Sequence, residues 1–140
     1  MGKLFLNSHD AQSAPKLSYN FPGTTCISVN EEAAHGILSA QTLNAGDLVN
    51  IDVSAELRGY FADTGGSFII PPESDVKRNN LSVIENLGSH GVGRALHEEL
   101  GFIQNYYDPK DQRILRENPV ITIEPFLSTG ARQVFDTGDG

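Results

Sequence analysis

Two β-patterned runs, Leu48 to Leu57 and Tyr60 to Ile70, are separated by only Arg58 and Gly59. So short a gap makes the chain double back, because a two-residue loop closes an antiparallel hairpin and a parallel return needs a dozen residues or more. The turn also sets the register. Asp63 falls opposite Ser54, and Asp52 becomes the diagonal neighbour of Asp63 on the same face, since side chains repeat with period two. Any even-length loop keeps this parity, and an odd one needs a bulge to restore it. Two carboxylates on one face repel unless a cation lies between them or water screens both. The pair therefore reads either as part of a cation site or as two solvated aspartates, and neighbours Ile51, Val53, Phe61 and Phe68 leave open which face is buried.

Elsewhere the signals are shorter. Residues 1–23, with Ser13, Pro15, Pro22 and Gly23, read as a stub and a loop. Thr25 to Asn30 alternates as a half-buried strand does, and Glu31 to Gly36 is a polar turn carrying His35. Pro71-Pro72 ends the second hairpin strand, residues 73–80 are polar, and Leu81 to Leu87 is apolar and of ambiguous type. Glycines flank His90 in the run Gly88 to Gly93, which lets backbone approach the imidazole closely. Arg94 to Leu100 is expected to make a helical turn, and Val120 to Leu127 a strand carrying Glu124. There are no internal repeats.

Composition narrows the function classes. The formal charge is -8, which disfavours a nucleic-acid or anionic-membrane surface. Such a surface serves solubility, or gathers carboxylates for a cation. Cys26 is the only cysteine, so no internal disulfide forms and nothing argues for secretion. No apolar run approaches membrane-spanning length, and the first six residues carry neither a signal peptide nor a myristoylation motif. One cytoplasmic domain over residues 1–140 is expected.

The order Asp52, Asp63, His90, Glu124 suits a carboxylate-rich metal centre. A hard divalent cation takes oxygen donors, one imidazole helps fix its geometry, and ligands on several strands are held rigidly. His97-Glu98-Glu99 is not an HExxH zinc motif, because Gly101 stands where the second histidine would be. Gly91-Val92-Gly93 is not a dinucleotide loop, because Leu96 occupies the third glycine position. His9 sits in no motif, and no base motif accompanies Cys26 to make it a nucleophile.

Four segments together resemble the type I methionine aminopeptidases of peptidase family M24: FPGTTCISVNEEAAHGI (21–37), GDLVNIDVSAELRGYFADTG (46–65), SHGVGRALHEE (89–99) and ITIEPF (121–126). The similarity runs from about Lys3 to Gly140. It implies an α/β (α+β) pita-bread fold with an antiparallel sheet, incomplete here, and a pair of divalent ions (Co, Mn, Fe or Zn). The family's metal ligands run Asp, Asp, His, Glu, Glu, and Asp52, Asp63, His90 and Glu124 match the first four. Its two other active-site histidines match His35 and His97, and Phe21, Cys26 and Leu96 match its methionine pocket. Each of these three is also an ordinary core residue.

The departures from the family are specific. The chain stops before the last Glu ligand, a short stretch between Pro72 and His90 stands for a helix pair, and the initial helices are missing. Ser89 replaces the usual glycine and Leu38 the usual proline. The resemblance thus implies a truncated, internally deleted member that binds one ion and acts on the N-terminal Met of peptides or nascent chains. In that chemistry the metal activates a water, Glu124 manages its proton, and His35 and His97 contact the substrate amide. The alternative is an inactive relative or binding remnant, with an Xaa-Pro peptidase-like enzyme as a third reading.

Overall fold

The computed structural model describes residues 2–71, 81–115 and 117–138. The polar stretch read over 73–80 lies outside the described residues, as do Met1, Pro72, Arg116, Asp139 and Gly140. The chain divides into two compact units, Met1–Arg78 and Asn79–Asp139.

In the first unit, α1 (Gly2–Ser8), β1 (Gln12–Ser13) and α2 (Ala14–Tyr19) precede β2 (Cys26–Val29), β3 (Leu48–Leu57) and β4 (Tyr60–Ile69). The hairpin has the expected register, with Ser54 opposite Asp63 and Leu57 opposite Tyr60. Arg58 and Gly59 take positive φ of 55° and 85°, as a two-residue hairpin turn requires. β4 occupies one edge of β3 throughout. β2 and β1 therefore share the other edge, β2 along Val49 to Asp52 and β1 at Ala55 and Glu56.

The sheet buries the middle of its polar face, where Cys26, Ser28 and Ser54 are 4%, 2% and 4% exposed; on the opposite face Val49 is 4% exposed, but Ile51 and Phe68 are 38% and 58% exposed. All three charges of the hairpin strands, Asp52, Glu56 and Asp63, lie on the polar face. The face carrying Val49, Ile51, Val53, Ala55, Leu57 and Phe68 is charge-free.

Residues 1–23 are more ordered than a stub and a loop. Pro15 lies in the first turn of α2, where its missing N–H costs nothing. Asn20 then takes αL geometry, and the Asn20 and Phe21 N–H groups donate back to the Lys16 and Pro15 carbonyls. A helix this short is set by its cap and by packing of Ala14 and Pro15, so no periodicity reveals it.

The second unit holds β5 (Ser82–Val83), β6 (Ser89–Gly91), β7 (Glu98–Ile103) and β8 (Leu127–Ser128), paired β5 with β8 and β6 with β7. Two expectations fail here. Arg94 to Leu100 is not helical: the Glu98 carboxylate accepts the Arg94 and Ala95 N–H groups, and β7 begins at Glu98 itself. Gly101, at φ 54°, continues the strand in a conformation other residues avoid. Val120 to Leu127 is not a continuous strand, because Pro125 has no N–H for a ladder. At its start it keeps one isolated bridge, Ile121 to Gly91, with bonds from Val92 N to Val120 O and from Thr122 N to His90 O, and at its end Leu127 of β8 pairs with Val83. Ile84, Val92 and Leu96 form the buried apolar centre of this unit.

Candidate metal centre

Each unit carries part of the residue set. In the first, Asp52 pairs across β3–β4 with Gly65 and across β2–β3 with Cys26. Directly opposed residues share a face, so Cys26, Asp52, Ser54 and Asp63 line one side of the sheet. A Cβ at position 65 would meet the Ile51 carbonyl oxygen at 3.3 Å and the Asp52 Cβ in ordinary contact at 3.7 Å. Both aspartates are half-buried.

The sheet's electrostatics are read out by its neighbours. Burial, then the charges of Asp52 and Asp63, push the Cys26 thiol up to about 12. Burial and Asp63 likewise raise the Tyr19 phenol. Cys26 is thus a neutral thiol and no nucleophile. Sequence reasoning missed Tyr19, whose only signal was its place two residues before Phe21 in a segment already singled out. Phe21 itself is half-buried beyond the αL residue Asn20, and its ring lies 3.0 Å from where a Gly23 Cβ would stand.

His35 is exposed and held at φ 56°. Its anchor is Gly36, whose carbonyl accepts the Ile27 N–H at 2.9 Å and whose N–H donates to the buried Ser28 hydroxyl at 3.1 Å. A Cβ on Gly36 would lie 2.2 Å from the Ile27 carbonyl oxygen, so only glycine fits. A non-glycine residue kept in αL conformation next to a locked glycine is an imposed geometry.

In the second unit the buried His90 and half-buried Glu124 meet, with Nε2 and Oε1 3.2 Å apart. Yet Glu124 Oε1 accepts no hydrogen bond from the described residues. On the other side of the ring, His90 Nδ1 is 2.9 Å from the Gly91 carbonyl oxygen. A carbonyl only accepts, so Nδ1 carries a proton, and Nε2 faces the carboxylate with its lone pair or with a second N–H. An imidazole nitrogen and a carboxylate oxygen at that distance share a proton or a cation. Its chemistry is that of a metal ligand pair, with the far nitrogen fixed by a backbone carbonyl. The exposed His97 ring tilts against His90 at a centroid distance of 4.0 Å, and Leu96 beside it is 5% exposed. His9 lies apart, against Phe5 of α1.

The sequence profile of metallopeptidase family M24 matches residues 4–85 and 73–138. The chain belongs to metallopeptidase family M24. Among its relatives in the family, methionine aminopeptidase 2 of Bacillus subtilis is 41% identical over 177 aligned positions, spanning all of this chain and 71% of that protein. A methionine aminopeptidase of Staphylococcus epidermidis is 42% identical, across 94% of this chain and 67% of its own length. Solved methionine aminopeptidases from Rickettsia prowazekii and Thermotoga maritima superpose with TM-scores of 0.85 and 0.87 at 27% and 26% identity. They cover 98% and 99% of this chain and 70% of their own lengths. The fold is therefore the mixed α/β, antiparallel-sheet fold of those enzymes. The family profile matches in two stretches that overlap at residues 73–85, within the shortened stretch between Pro72 and His90 that implied an internal deletion. M24 membership implies a divalent metal, and the His90–Glu124 pair fits one.

Proposed function

We propose that this M24 protein binds a divalent cation through Asp52, Asp63, His90 and Glu124 and removes the N-terminal methionine of peptides in the cytoplasm. The observation carrying this reading is the His90–Glu124 pair, an imidazole nitrogen and a carboxylate oxygen 3.2 Å apart, with the far ring nitrogen held on a backbone carbonyl. Two or three carboxylates and one imidazole suit Mn, Fe, Co or Zn, and we propose one ion per chain. When bound, the ion would supply an acidified water and a polarised carbonyl.

The chain's own groups supply the rest. Glu124 Oε1 is the base for the water proton, since it is buried and accepts no bond from the described protein groups. His35 and His97 are both exposed and serve as contacts for the substrate amide. Phe21, Leu96 and the neutral Cys26 thiol supply the apolar contacts for an unbranched thioether. The two units act in this reading as one catalytic domain.

Calorimetric titration with Mn²⁺ and hydrolysis of a Met-Ala-Ser peptide test the reading together. One metal equivalent and release of methionine, both lost in His90→Ala, are expected. Cleavage that persists without added metal in chelator-treated protein would overturn it. A second reading, a metal-binding relative without turnover, is favoured by the split of the family match into two overlapping stretches. Metal binding without methionine release would select it.

A further inference from the structure

Glu124 lies outside the strands of its unit, and the next residue is a proline. Its main chain is nonetheless held at both polar groups by two side chains. The Glu124 N–H donates to Ser89 Oγ at 2.9 Å, and the Glu124 carbonyl accepts from Asn105 Nδ2 at 2.5 Å. The clamp is closed on itself, because Ser89 Oγ donates to Asn105 Oδ1 at 2.7 Å. Ser89 is 3% exposed, so these bonds form away from competing water.

The same serine adjoins His90. His90 is pinned independently, its N–H donating to Thr122 Oγ1 at 3.1 Å and its carbonyl accepting from Thr122 N at 2.9 Å. One end of the pair is thus fixed by Thr122, and the other by Ser89 and Asn105. A ligand pair needs placement within about half an ångström. A chain segment without a ladder does not give that by itself.

We infer that Ser89 and Asn105 are positioning residues that hold Glu124 Oε1 at its working distance from His90 Nε2. This rests on the metal-site reading above, so the test begins without metal. In the full metal-free chain, Ser89→Ala is expected to speed hydrogen exchange of the Glu124 amide at least tenfold and to move the His90 Nε2 nitrogen resonance. Asn105→Asp keeps the acceptor for Ser89 Oγ but loses the donor to the Glu124 carbonyl, and is expected to show a smaller shift of that resonance. With Co²⁺ added, both variants should bind at least tenfold more weakly, with altered visible absorption bands.

A role confined to folding would lower the melting temperature and leave the His90 resonance and the Co²⁺ spectrum as in the wild type. That result overturns the inference. If Ser89→Ala does not fold, Asn105→Asp decides by the same readouts. Wild-type protein that fails to bind Co²⁺ refutes the metal site alone, and the metal-free exchange and resonance measurements then judge the clamp.

Discussion

Cys26 and Asp52 oppose each other directly across β2 and β3, so a thiol and a carboxylate share one buried side of the sheet. Burial makes the thiolate costly, and the carboxylate makes it costlier.

The native thiol should therefore resist alkylation at pH 8 and react once the chain is unfolded. Its pKa is raised on folding, to about 12, from about 8.5 in an unfolded chain. The folded state then binds more protons between those values, and stability present below the lower one is lost as pH rises through the higher. Urea unfolding at pH 7, 9 and 10.5 checks the slope, and Cys26→Ser should flatten it. Equal rates of alkylation in native and unfolded protein would refute the assignment.

Gly36→Ala should destabilise the protein by about 2–3 kcal/mol, because the new Cβ meets backbone that has no rotamer to escape into. The added carbon would lie 2.2 Å from the Ile27 carbonyl oxygen. Chemical denaturation reads the loss. A variant as stable as the parent would mean that the loop does not rest on β2.

On the acid side, Asp111 and Asp47 should behave alike. The Arg113 guanidinium and N–H hold the Asp111 carboxyl down to about 2, and the Asn30 side chain and Asn44 N–H hold Asp47 low. Their contribution is fully present above the ordinary carboxylate range and lost as pH falls through the depressed values. Carbon-detected titration should find Asp111 still ionised at pH 3. Arg113→Gln should return it toward about 4.

His90→Ala should weaken Mn²⁺ binding by about 100-fold or more, since a ligand and its fixed tautomer vanish together. The folded state should survive, because the His90 main-chain bonds to Thr122 are untouched. Calorimetry with circular dichroism separates the two effects. Undiminished affinity would remove His90 from the ligand set.

The hairpin was legible because two β runs and a two-residue gap leave one register, which fixed the faces of Asp52, Asp63 and Ser54 before any coordinate. α2 was not, since its stop depends on Asn20 turning left-handed, a choice no periodicity encodes. The turn at Arg94–Glu98 was misread because a carboxylate captured the N–H groups that a helix would have left open. Ser89 and Asn105 were invisible as partners of Glu124, being 35 and 19 residues distant in sequence. The likeness to known aminopeptidases supplied roles for His35 and His97, which spacing alone would have left as ordinary residues.

The charge-free side of the β3–β4 hairpin gives the chain a handle for bench work. Because side chains alternate, a lysine in place of Ile51 or a glutamate in place of Phe68 would project away from Asp52 and Asp63. Stickiness toward columns, dyes and detergents could then be tuned on one side while the carboxylates on the other keep their surroundings. The sheet thus keeps the protein's handling properties apart from its acidic side.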